Sequence, residues 1–407
     1  MRRIKFFTFG CKANQYDTQL FSEVLSKIGY EIDRYNYEIA IINSCCVTKK
    51  AENEVKRLIR KTIDDKKEVW ITGCLVEKDN LKAIFPTAKI LSREGFYKMA
   101  KSLGVYGIKK FLGHARAFVK IVDGCENFCS YCIVPYVRGK ISSRSISEIV
   151  DEIKALVENS YKEIVLTGID VGGFGKDTGQ SLKKLFEQVN EIEGLYRFRL
   201  SSIEVYYLTD EIIQTLRNCW KFCPSFHIPL QSGSDRILKL MKRPYTYDGY
   251  RKRIEKIKDV FGDVTLTTDV MVGFPEETEK DFEKTLRAVN ECRFLKIHVF
   301  PFSLHPQTQA ASFDRRVPEC VKKERLKMLV KNGEDVAKEV KSGFIGKKCK
   351  VLVEEKIENY WFGYSEYYVP VLVDSSEELK GTIVSVIPEK LIEMKNNTYL
   401  YTRTILP

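Results

Sequence analysis

Three cysteines lie close together in the stretch Gly124-Cys125-Glu126-Asn127-Phe128-Cys129-Ser130-Tyr131-Cys132, with the spacing Cys-x3-Cys-x2-Cys. The stretch follows an apolar run, Phe118–Val122, that is typical of a buried strand. Three thiolates on one short loop can bind three irons of a cubane and leave the fourth iron open. An open iron can bind S-adenosylmethionine, which an electron then splits to give a carbon radical. A zinc knuckle is the alternative, but zinc usually takes four protein ligands and no histidine lies nearby.

The region that holds this loop alternates strands with helices. Apolar runs predict six strands, at Phe118–Val122, Ile164–Thr167, Phe198–Ser201, Phe226–Pro229, Leu266–Val272 and Lys296–Phe300. Helical segments such as Ile149–Glu158, Leu182–Ile192 and Asp281–Asn290 separate them, and a long charged helix, Lys322–Ser342, follows. Six strand–helix units in succession predict a partial (β/α)6 barrel over residues 106–342, of the triosephosphate-isomerase kind.

The two flanking regions differ from each other. Residues 1–105 alternate the strands Ile4–Phe9, Ile39–Ile42 and Val69–Thr72 with the helices Gln15–Ile28 and Lys49–Ile63. This pattern predicts an open parallel sheet with helices on its faces. Residues 343–407 contain only short strand-like runs, Lys350–Val353, Tyr367–Val373 and Gly381–Val386, which predict a small β-barrel. We therefore expect an α/β protein of three domains, 1–105, 106–342 and 343–407.

Three further cysteines each lie just after a predicted strand of the first domain: Cys11, Cys45 and Cys74. The carboxyl ends of parallel strands share one edge of a sheet, where ligands collect. Three successive strand–helix units would therefore bring the three thiols to one site, which predicts a second cluster with its own open iron. The alternative is that buried cysteines happen to end strands. Cys46 directly follows the proposed ligand Cys45, and we expect its side chain to point to the opposite face of the sheet.

Composition adds further constraints. The chain has no apolar run long enough to span a bilayer and no charged-then-apolar leader, so we expect a cytoplasmic protein whose twelve cysteines are reduced. Cysteines away from the two trios should be small buried hydrophobic residues: Cys219, Cys223, Cys292, Cys320 and Cys349. The formal net charge of +12 fits a partner with phosphates. The net charge is +7 for residues 1–105 (20 basic, 13 acidic), +6 for residues 106–342 (39 and 33) and −1 for residues 343–407 (8 and 9). The small barrel is therefore not expected to bind phosphates through a cluster of basic residues.

Together these motifs resemble the methylthiotransferases, a family of radical S-adenosylmethionine enzymes. The resemblance covers nearly the whole chain and rests on residues 10–16, 43–48, 123–139, 227–234, 273–275 and 298–303. It implies a carboxy-terminal TRAM domain and two [4Fe-4S] clusters, one on Cys11, Cys45 and Cys74 and one on Cys125, Cys129 and Cys132. In such enzymes one S-adenosylmethionine methylates a sulfur held on the amino-terminal cluster. Another is cleaved to the radical that removes a hydrogen from the substrate carbon.

Branches of this family differ in substrate. The Gly-Cys-Lys-x-Asn opening and Val47-Thr48 after Cys45 are most similar to the branch that modifies threonylcarbamoyladenosine in tRNA. The alternatives are the branches that act on isopentenyladenosine in tRNA and on an aspartate of a ribosomal protein. Ser44 and Cys46 depart from the more usual threonines. His305 stands where an arginine is expected, which puts a carried-over role for that side chain in doubt.

Several residues are candidates to contact S-adenosylmethionine. Tyr131 resembles the aromatic position that packs near adenine in radical enzymes, and a ring that only shields the cluster is the alternative. Gly168 and Asp170 follow a strand, where a close backbone and a carboxylate could meet the methionine amino group or the ribose. Helix capping is the other interpretation of Asp170. Ser202 and Glu204 follow the next strand at the same barrel mouth.

Other side chains suit RNA. Arg138, Lys140 and Arg144 form a basic segment suited to phosphates or to a substrate carboxylate, or merely a solvated surface. Aromatic residues of the last domain could stack on splayed bases, although part of them must fill its core: Tyr360, Trp361, Phe362, Tyr364, Tyr367 and Tyr368. His227 could line the cavity or be a hydrogen-bonded core histidine.

The expected activity is transfer of a methylthio group to C2 of threonylcarbamoyladenosine at position 37 of a tRNA. S-adenosylmethionine and an electron-donor protein are the other expected partners. An aromatic C–H offers no acid or leaving group for polar chemistry, which explains why a radical is needed. The alternative from a different class is a non-catalytic iron–sulfur RNA-binding module, which would release no 5′-deoxyadenosine.

Overall fold

The amino-terminal part of the molecule is a parallel sheet. The structure, a computed structural model, describes residues 1–111 and 113–406. The strands are β1 (Arg3–Thr8), β2 (Glu31–Ile32), β3 (Ile39–Ser44), β4 (Glu68–Gly73) and β5 (Lys89–Ile90). They lie in the order β2-β1-β3-β4-β5, with every neighbouring pair parallel. The helices are α1 (Lys12–Lys27), α2 (Lys49–Asp64), α3 (Cys74–Lys78), α4 (Leu81–Ile84) and α5 (Arg93–Ser102). β3 is buried along its whole length, as expected of a strand covered on both faces.

The central part contains the six predicted parallel strands. The strands are β6 (Ala117–Asp123), β7 (Ser142–Ser143), β8 (Glu163–Gly168), β9 (Arg197–Leu200), β10 (Ser225–His227), β11 (Thr265–Val272) and β12 (Lys296–Pro301). β6-β8-β9 and β10-β11-β12 are two parallel groups, and β7 is a short antiparallel addition to β6. Backbone hydrogen bonds of Phe198 to Lys221 and Cys223, each 2.9 Å, join the groups. The expected partial (β/α)6 barrel is confirmed.

Helices surround this barrel. They are α6 (Val134–Arg138), α7 (Ile146–Glu158), α8 (Leu182–Asn190), α9 (Asp210–Asn218), α10 (Asp235–Leu240), α11 (Tyr247–Phe261), α12 (Glu279–Cys292) and α13 (Glu319–Ser342). Three short 3-10 helices lie at Val171–Gly173, Val205–Tyr207 and Gln309–Ser312. Local sequence sets the start of α7, where Ser145 and Glu148 form a reciprocal capping box. Within the described ranges no helix is long and apolar enough to cross a membrane.

The carboxy-terminal part is a seven-stranded sheet. The strands are β13 (Cys349–Ile357), β14 (Tyr360–Ser365), β15 (Pro370–Val373), β16 (Ile383–Val386), β17 (Lys390–Met394), β18 (Asn397–Thr402) and β19 (Ile405–Leu406). Their order is β17-β18-β15-β14-β13-β16-β19, and all pairs except β15 with β18 are antiparallel. Alternate residues of these strands, such as Val351, Val353, Val371 and Val373, form its apolar core.

Both flanking parts pack on the barrel. Tyr16 and Leu20 of α1 belong to the barrel's own apolar core, and the Tyr16 hydroxyl donates to Glu152 Oε1 at 2.9 Å. At the other side, Arg197 and Arg199 of β9 donate to four backbone carbonyls of the carboxy-terminal sheet, those of Lys350, Tyr364, Ser365 and Glu366. The cysteine-bearing sheet edge is thereby fixed against the barrel.

Candidate functional site

The three amino-terminal cysteines meet at one edge of the parallel sheet. Cys11 follows β1, Cys45 follows β3, and Cys74 follows β4 directly. Burial raises the pKa of Cys45 to about 11, and the nearby thiols of Cys74 and Cys11 add to the rise. Burial likewise raises the pKa of Cys74, and Cys11 contributes to it as well. Cys45 therefore lies near both other members of the trio, and Cys74 lies near Cys11. Cys46 is fully buried in an apolar cluster that also contains Cys74, and the thiols of Cys74 and Cys45 add to the burial that raises its pKa.

Two glycines permit this convergence. Gly10 and Gly73, which precede the first and third cysteine, have φ values of +95° and +91°. A Cβ added at Gly10 would lie 2.9 Å from the Cys45 sulfur, and one at Gly73 would overlap the backbone oxygen of Ser44. Any other residue would push the strand ends apart, because it brings both a Cβ and an unfavourable positive φ.

The second trio lies on the loop between β6 and α6. Gly124 opens the loop with φ +75°, and a Cβ there would overlap the backbone oxygen of Lys140. The Cys125 amide donates to the Gly139 carbonyl at 3.1 Å, which closes the loop at its base. Burial raises the pKa of Cys125 and of Cys132 to about 12 each. The loop is thus closed at its base, and its three cysteines are half-buried.

Each trio receives a hydrogen bond from an arginine. Arg138 Nε donates to Cys74 Sγ at 3.1 Å, and Arg243 Nη1 donates to Cys129 Sγ at 3.2 Å. The exposed fractions of the two arginine side chains are 0% and 2%. Charged donors of this kind stabilise a thiolate. Neither arginine was predicted to lie at a cluster, because only the folded chain shows which sulfur a distant side chain reaches.

The donor sets of both trios fit an iron–sulfur cluster. All twelve cysteines are free thiols, so no disulfide competes for them. Hydrogen bonds to ligand sulfur are a regular feature of such clusters. Among the residues that the structure describes, no three Cys, His, Asp or Glu side chains are gathered closely enough to hold a single metal ion. The assignment of the six cysteines as ligands stays a prediction.

The remaining cysteines are mostly as expected. Cys219, Cys223, Cys292 and Cys349 are buried. The prediction is wrong for Cys320, which is exposed because it lies in the first turn of α13 on the side that faces solvent.

Asp170 holds the cluster loop. Its carboxylate accepts hydrogen bonds from Asn127 Nδ2 at 3.2 Å and from the Tyr207 hydroxyl at 3.0 Å, and burial raises its pKa. Asp170 is also the N-cap residue of the short helix Val171–Gly173, and the Gly173 amide acts to lower the pKa of its carboxyl. Both interpretations of Asp170, cofactor contact and helix capping, stay predictions. Gly168 allows close packing, because a Cβ there would lie 2.6 Å from Val122 Cγ1.

The other predicted cofactor contacts lie around the same loop. Tyr131 packs edge-on against Phe274 with ring centroids 6.4 Å apart. Glu204 forms an ion pair with Arg243, and burial raises its pKa. Ser202, two residues earlier, is half-buried. Contact of Tyr131, Ser202 and Glu204 with S-adenosylmethionine stays a prediction.

Polar contacts also join neighbouring strands and segments around the site. His227 Nε2 lies 3.2 Å from Asp269 Oδ2. His305 Nε2 lies 2.8 Å from the Val47 carbonyl, so this departure from the family pattern ties the barrel to the segment after Cys45. The Ser44 hydroxyl donates to a backbone carbonyl of β4 at 2.5 Å and so fixes the neighbouring strand ends.

The predicted basic segment is mostly not exposed to solvent. Arg138 is buried, and Arg144 pairs with the buried Glu152 and donates to the Tyr16 hydroxyl at 3.1 Å. Only Lys140 of the three is exposed. The expectation of phosphate contacts is therefore wrong for both arginines, because buried carboxylates from other elements engage them.

The aromatic residues of the carboxy-terminal sheet serve its packing. Trp361 and Phe362 are buried in apolar clusters. Tyr364 and Tyr368 stack on each other with ring centroids 4.5 Å apart and cover the Arg116 guanidinium at 4.8 and 5.1 Å. The core interpretation thus holds for Trp361 and Phe362, whereas Tyr364 and Tyr368 are half-buried and pack against the core from outside.

Comparison with known proteins gives the family. Residues 119–289 match the Radical SAM superfamily, and residues 3–92 match the Uncharacterized protein family UPF0004. The threonylcarbamoyladenosine tRNA methylthiotransferase MtaB of Thermotoga maritima is 37% identical over 394 residues, which are 91% of this chain and 91% of that protein. The Bacillus subtilis protein of the same name is 34% identical over 423 residues, 95% of this chain and 93% of that protein. The chain belongs to the radical S-adenosylmethionine methylthiotransferase family.

Other methylthiotransferases are similar to a comparable degree. The tRNA-2-methylthio-N(6)-dimethylallyladenosine synthase of Caldicellulosiruptor saccharolyticus is 36% identical over 435 residues, 98% of this chain and 91% of that protein. Among solved structures, the radical S-adenosylmethionine methyltransferase TsrM of Kitasatospora setae matches with a TM-score of 0.56 at 12% identity, over 76% of this chain and 77% of that one. This likeness shows the fold alone. As a methylthiotransferase the chain is an enzyme that uses S-adenosylmethionine and an iron–sulfur cluster, so a non-catalytic RNA-binding module is excluded.

Proposed function

We propose that this methylthiotransferase modifies N6-threonylcarbamoyladenosine at position 37 of tRNA, at C2 of the adenine. The names of the Thermotoga maritima and Bacillus subtilis relatives support this substrate. The observation that carries the proposal is the link between the two cysteine trios. Arg138 follows the loop of Cys125, Cys129 and Cys132 and reaches the Cys74 sulfur. Both trios therefore flank one interface between sheet and barrel, where a single nucleoside could meet both.

We assign one [4Fe-4S] cluster to each trio. When bound, the clusters would supply the electron that cleaves S-adenosylmethionine and the sulfur that is transferred. The chain's own residues hold the thiolates in place: Arg138 and Arg243 donate to one sulfur of each trio. Asp170 accepts from Asn127 and so fixes the loop between its first two cysteines.

S-adenosylmethionine is proposed to bind at the barrel mouth beside this loop. The neighbouring residues at the strand ends are Tyr131, Gly168, Asp170, Ser202 and Glu204. Arg243 fixes the Glu204 carboxylate, and Asn127 and Tyr207 fix that of Asp170. Two oriented carboxylates on one mouth suit the amino and hydroxyl groups of the cofactor.

The position of Lys12 favours threonylcarbamoyladenosine as the substrate. Its side chain is half-buried and directly follows Cys11. Lys12 forms no ion pair with a carboxylate in the part of the chain that the structure describes. Burial and the charge of Arg116 lower its pKa, and Asp269 opposes this only at longer range, so a bound carboxylate would stabilise its charged form. A partly buried ammonium without a counter-ion suits the carboxylate of the threonylcarbamoyl group. A dimethylallyl group carries no such anion.

The proposal extends to partners and organisation. An electron-donor protein would reduce the enzyme, and a tRNA substrate would place it in the cytoplasm. The domains are proposed at 1–105, 106–342 and 343–407. The first contains the five-stranded sheet, the second the four- and three-stranded sheets, and the third the seven-stranded sheet.

Mass spectrometry of tRNA nucleosides tests the proposal. A strain that lacks the gene is complemented with the wild type or with Cys129→Ala. We expect the methylthio form of threonylcarbamoyladenosine to be lost in the deletion strain and restored by the wild type only. Loss of methylthio-dimethylallyladenosine instead would assign the substrate of the Caldicellulosiruptor relative. An unchanged digest would contradict a tRNA substrate.

A further inference from the structure

We infer that Arg138 is a positioning residue that sets the reduction potential of a cluster on Cys11, Cys45 and Cys74. The inference rests on the second cluster of the proposed function. Arg138 is the last residue of α6, the helix that follows the loop of the other trio. Its Nε nevertheless donates to Cys74 Sγ at 3.1 Å. The segment that carries one set of cysteines thus supplies a cation to a ligand of the other set.

The surroundings of Arg138 aim its Nε at the sulfur. Nη1 lies 3.3 Å from the Asp17 carboxylate and 3.0 Å from the Asp123 carboxylate, and Nη2 donates to Asn14 Oδ1. The guanidinium is planar and its donors form a rigid fork. Once both terminal nitrogens are engaged, the direction of Nε is fixed toward Cys74.

The local charges leave one positive charge for the sulfur. Lys120 Nζ lies 2.5 Å from Asp17 and 2.8 Å from Asp123, and Arg93 lies 3.1 Å from Asp123. Three cations, with Arg138, therefore face two carboxylates. Without Arg138, Asp17 and Asp123 would still be paired with Lys120. Arg138 is therefore not needed to neutralise these two carboxylates.

A positive donor at a ligand sulfur raises a cluster's reduction potential, because it stabilises the more negative reduced state. Arg138→Gln removes the charge and the Nε donor together. It should therefore make the amino-terminal cluster harder to reduce.

Redox titration of the isolated amino-terminal cluster tests this inference. The full-length protein with Cys125→Ala, Cys129→Ala and Cys132→Ala is reconstituted anaerobically, so that only the first trio can hold iron. In this background we expect about four irons per chain with or without Arg138→Gln. We expect a lower midpoint potential for Arg138→Gln in a titration followed by electron paramagnetic resonance. An unchanged midpoint at full iron content would overturn the inference.

Arg93→Gln is the matched control. Arg93 contacts Asp123 and the Val137 carbonyl in the same cluster of charges, and among residues 1–111 and 113–406 it donates to no sulfur. The Arg93→Gln variant removes one nearby positive charge but no hydrogen bond to sulfur. We therefore expect it to lower the midpoint potential less than Arg138→Gln does. A shift of equal or greater size would show a general charge effect and would overturn the specific role of the Arg138 hydrogen bond.

Arg138→Lys keeps the inference testable if Arg138→Gln fails to hold a cluster. Lysine retains the positive charge beside Asp17 and Asp123, but one ammonium cannot satisfy both carboxylates and the Cys74 sulfur. We expect a bound cluster with a lowered midpoint, and an unchanged midpoint counts against the inference. If the background protein binds no iron before Arg138 is changed, the second cluster of the proposed function fails, and the inference fails with it.

Discussion

Replacing Glu163 by glutamine should loosen the carboxy-terminal sheet from the barrel. The Glu163 side chain is 0% exposed, and its carboxylate lies 2.5 Å from Arg197 Nε, 2.7 Å from Arg199 Nε and 3.4 Å from Arg116 Nη1. Burial works to raise the pKa of Glu163, but these three guanidinium groups hold it well below its usual range. One buried carboxylate thus contacts three buried cations.

The expected cost follows from this arrangement. Glutamine keeps the shape of Glu163 but removes its charge. Glu354, 2.6 Å from Arg116, then still pairs with one of the three arginines, while Arg197 and Arg199 lose their carboxylate partner. Removal of one partner from a buried ion pair costs about 3–5 kcal/mol. We expect the free energy of unfolding to fall by that amount. The loss should concentrate in the carboxy-terminal sheet, because Arg197 and Arg199 also donate to its backbone carbonyls.

Urea unfolding followed by the fluorescence of Trp361 measures this loss. Trp361 is buried in the core of the carboxy-terminal sheet, and Trp70→Phe with Trp220→Phe makes it the only reporter. Glu354→Gln is the control, since that carboxylate is 22% exposed and pairs with Arg116 alone, so it should cost only about 1 kcal/mol. The reasoning is refuted if Glu163→Gln loses no more stability than Glu354→Gln.

Three further predictions concern the cysteine-bearing part. Gly73→Ala should abolish one cluster and lower the iron content from about eight to about four per chain, because its Cβ would overlap Ser44. Gly29→Ala, at φ +95° but in open space, should cost only about 1–2 kcal/mol and keep its iron; equal iron contents would contradict the steric argument. Lys12→Gln should weaken binding of an anticodon stem–loop with threonylcarbamoyladenosine roughly tenfold in fluorescence anisotropy, the loss of about one charged hydrogen bond. It should not change binding of the unmodified stem–loop, and an unchanged ratio of the two affinities would argue against carboxylate recognition. Burial opposes the charge of Glu52, but three lysines lower its pKa to about 2. Because this value lies below the unfolded value of about 4.3, the carboxylate stabilises the fold above pH 4.3, and that contribution is lost as the pH falls toward 2. Cluster-free wild type and Glu52→Gln should therefore differ by roughly 1–3 kcal/mol in urea unfolding at pH 6 and converge at acid pH; a constant difference would contradict this origin.

The sequence predicted the parallel part of the fold well for a physical reason. Strands such as β3 and β8 are covered on both faces, so they are continuous apolar runs that contrast with the amphipathic helices between them. The same regularity places a residue after each strand at one edge, which is why strand periodicity alone groups Cys11, Cys45 and Cys74.

Other features could not be predicted in this way. Arg138 was assigned to a surface, yet it is buried, because its partners Asp17 and Asp123 come from distant segments. Strands β14 and β17 of the carboxy-terminal sheet were missed. β17 is an edge strand of mixed polar and apolar residues, and β14, in the middle of the sheet, is an aromatic run interrupted by Gly363. Local patterns report which residues are apolar, whereas the pairing of buried charges depends on the tertiary arrangement.

Iron and sulfide analysis with Mössbauer spectroscopy tests the central claim most directly, namely that the chain carries two separate clusters. After anaerobic reconstitution the wild type should hold about eight irons per chain, and Cys11→Ala should hold about four. Cys320→Ala, which changes an exposed cysteine outside both trios, should keep the wild-type content. About four irons in the wild type, unchanged in Cys11→Ala, would contradict the account.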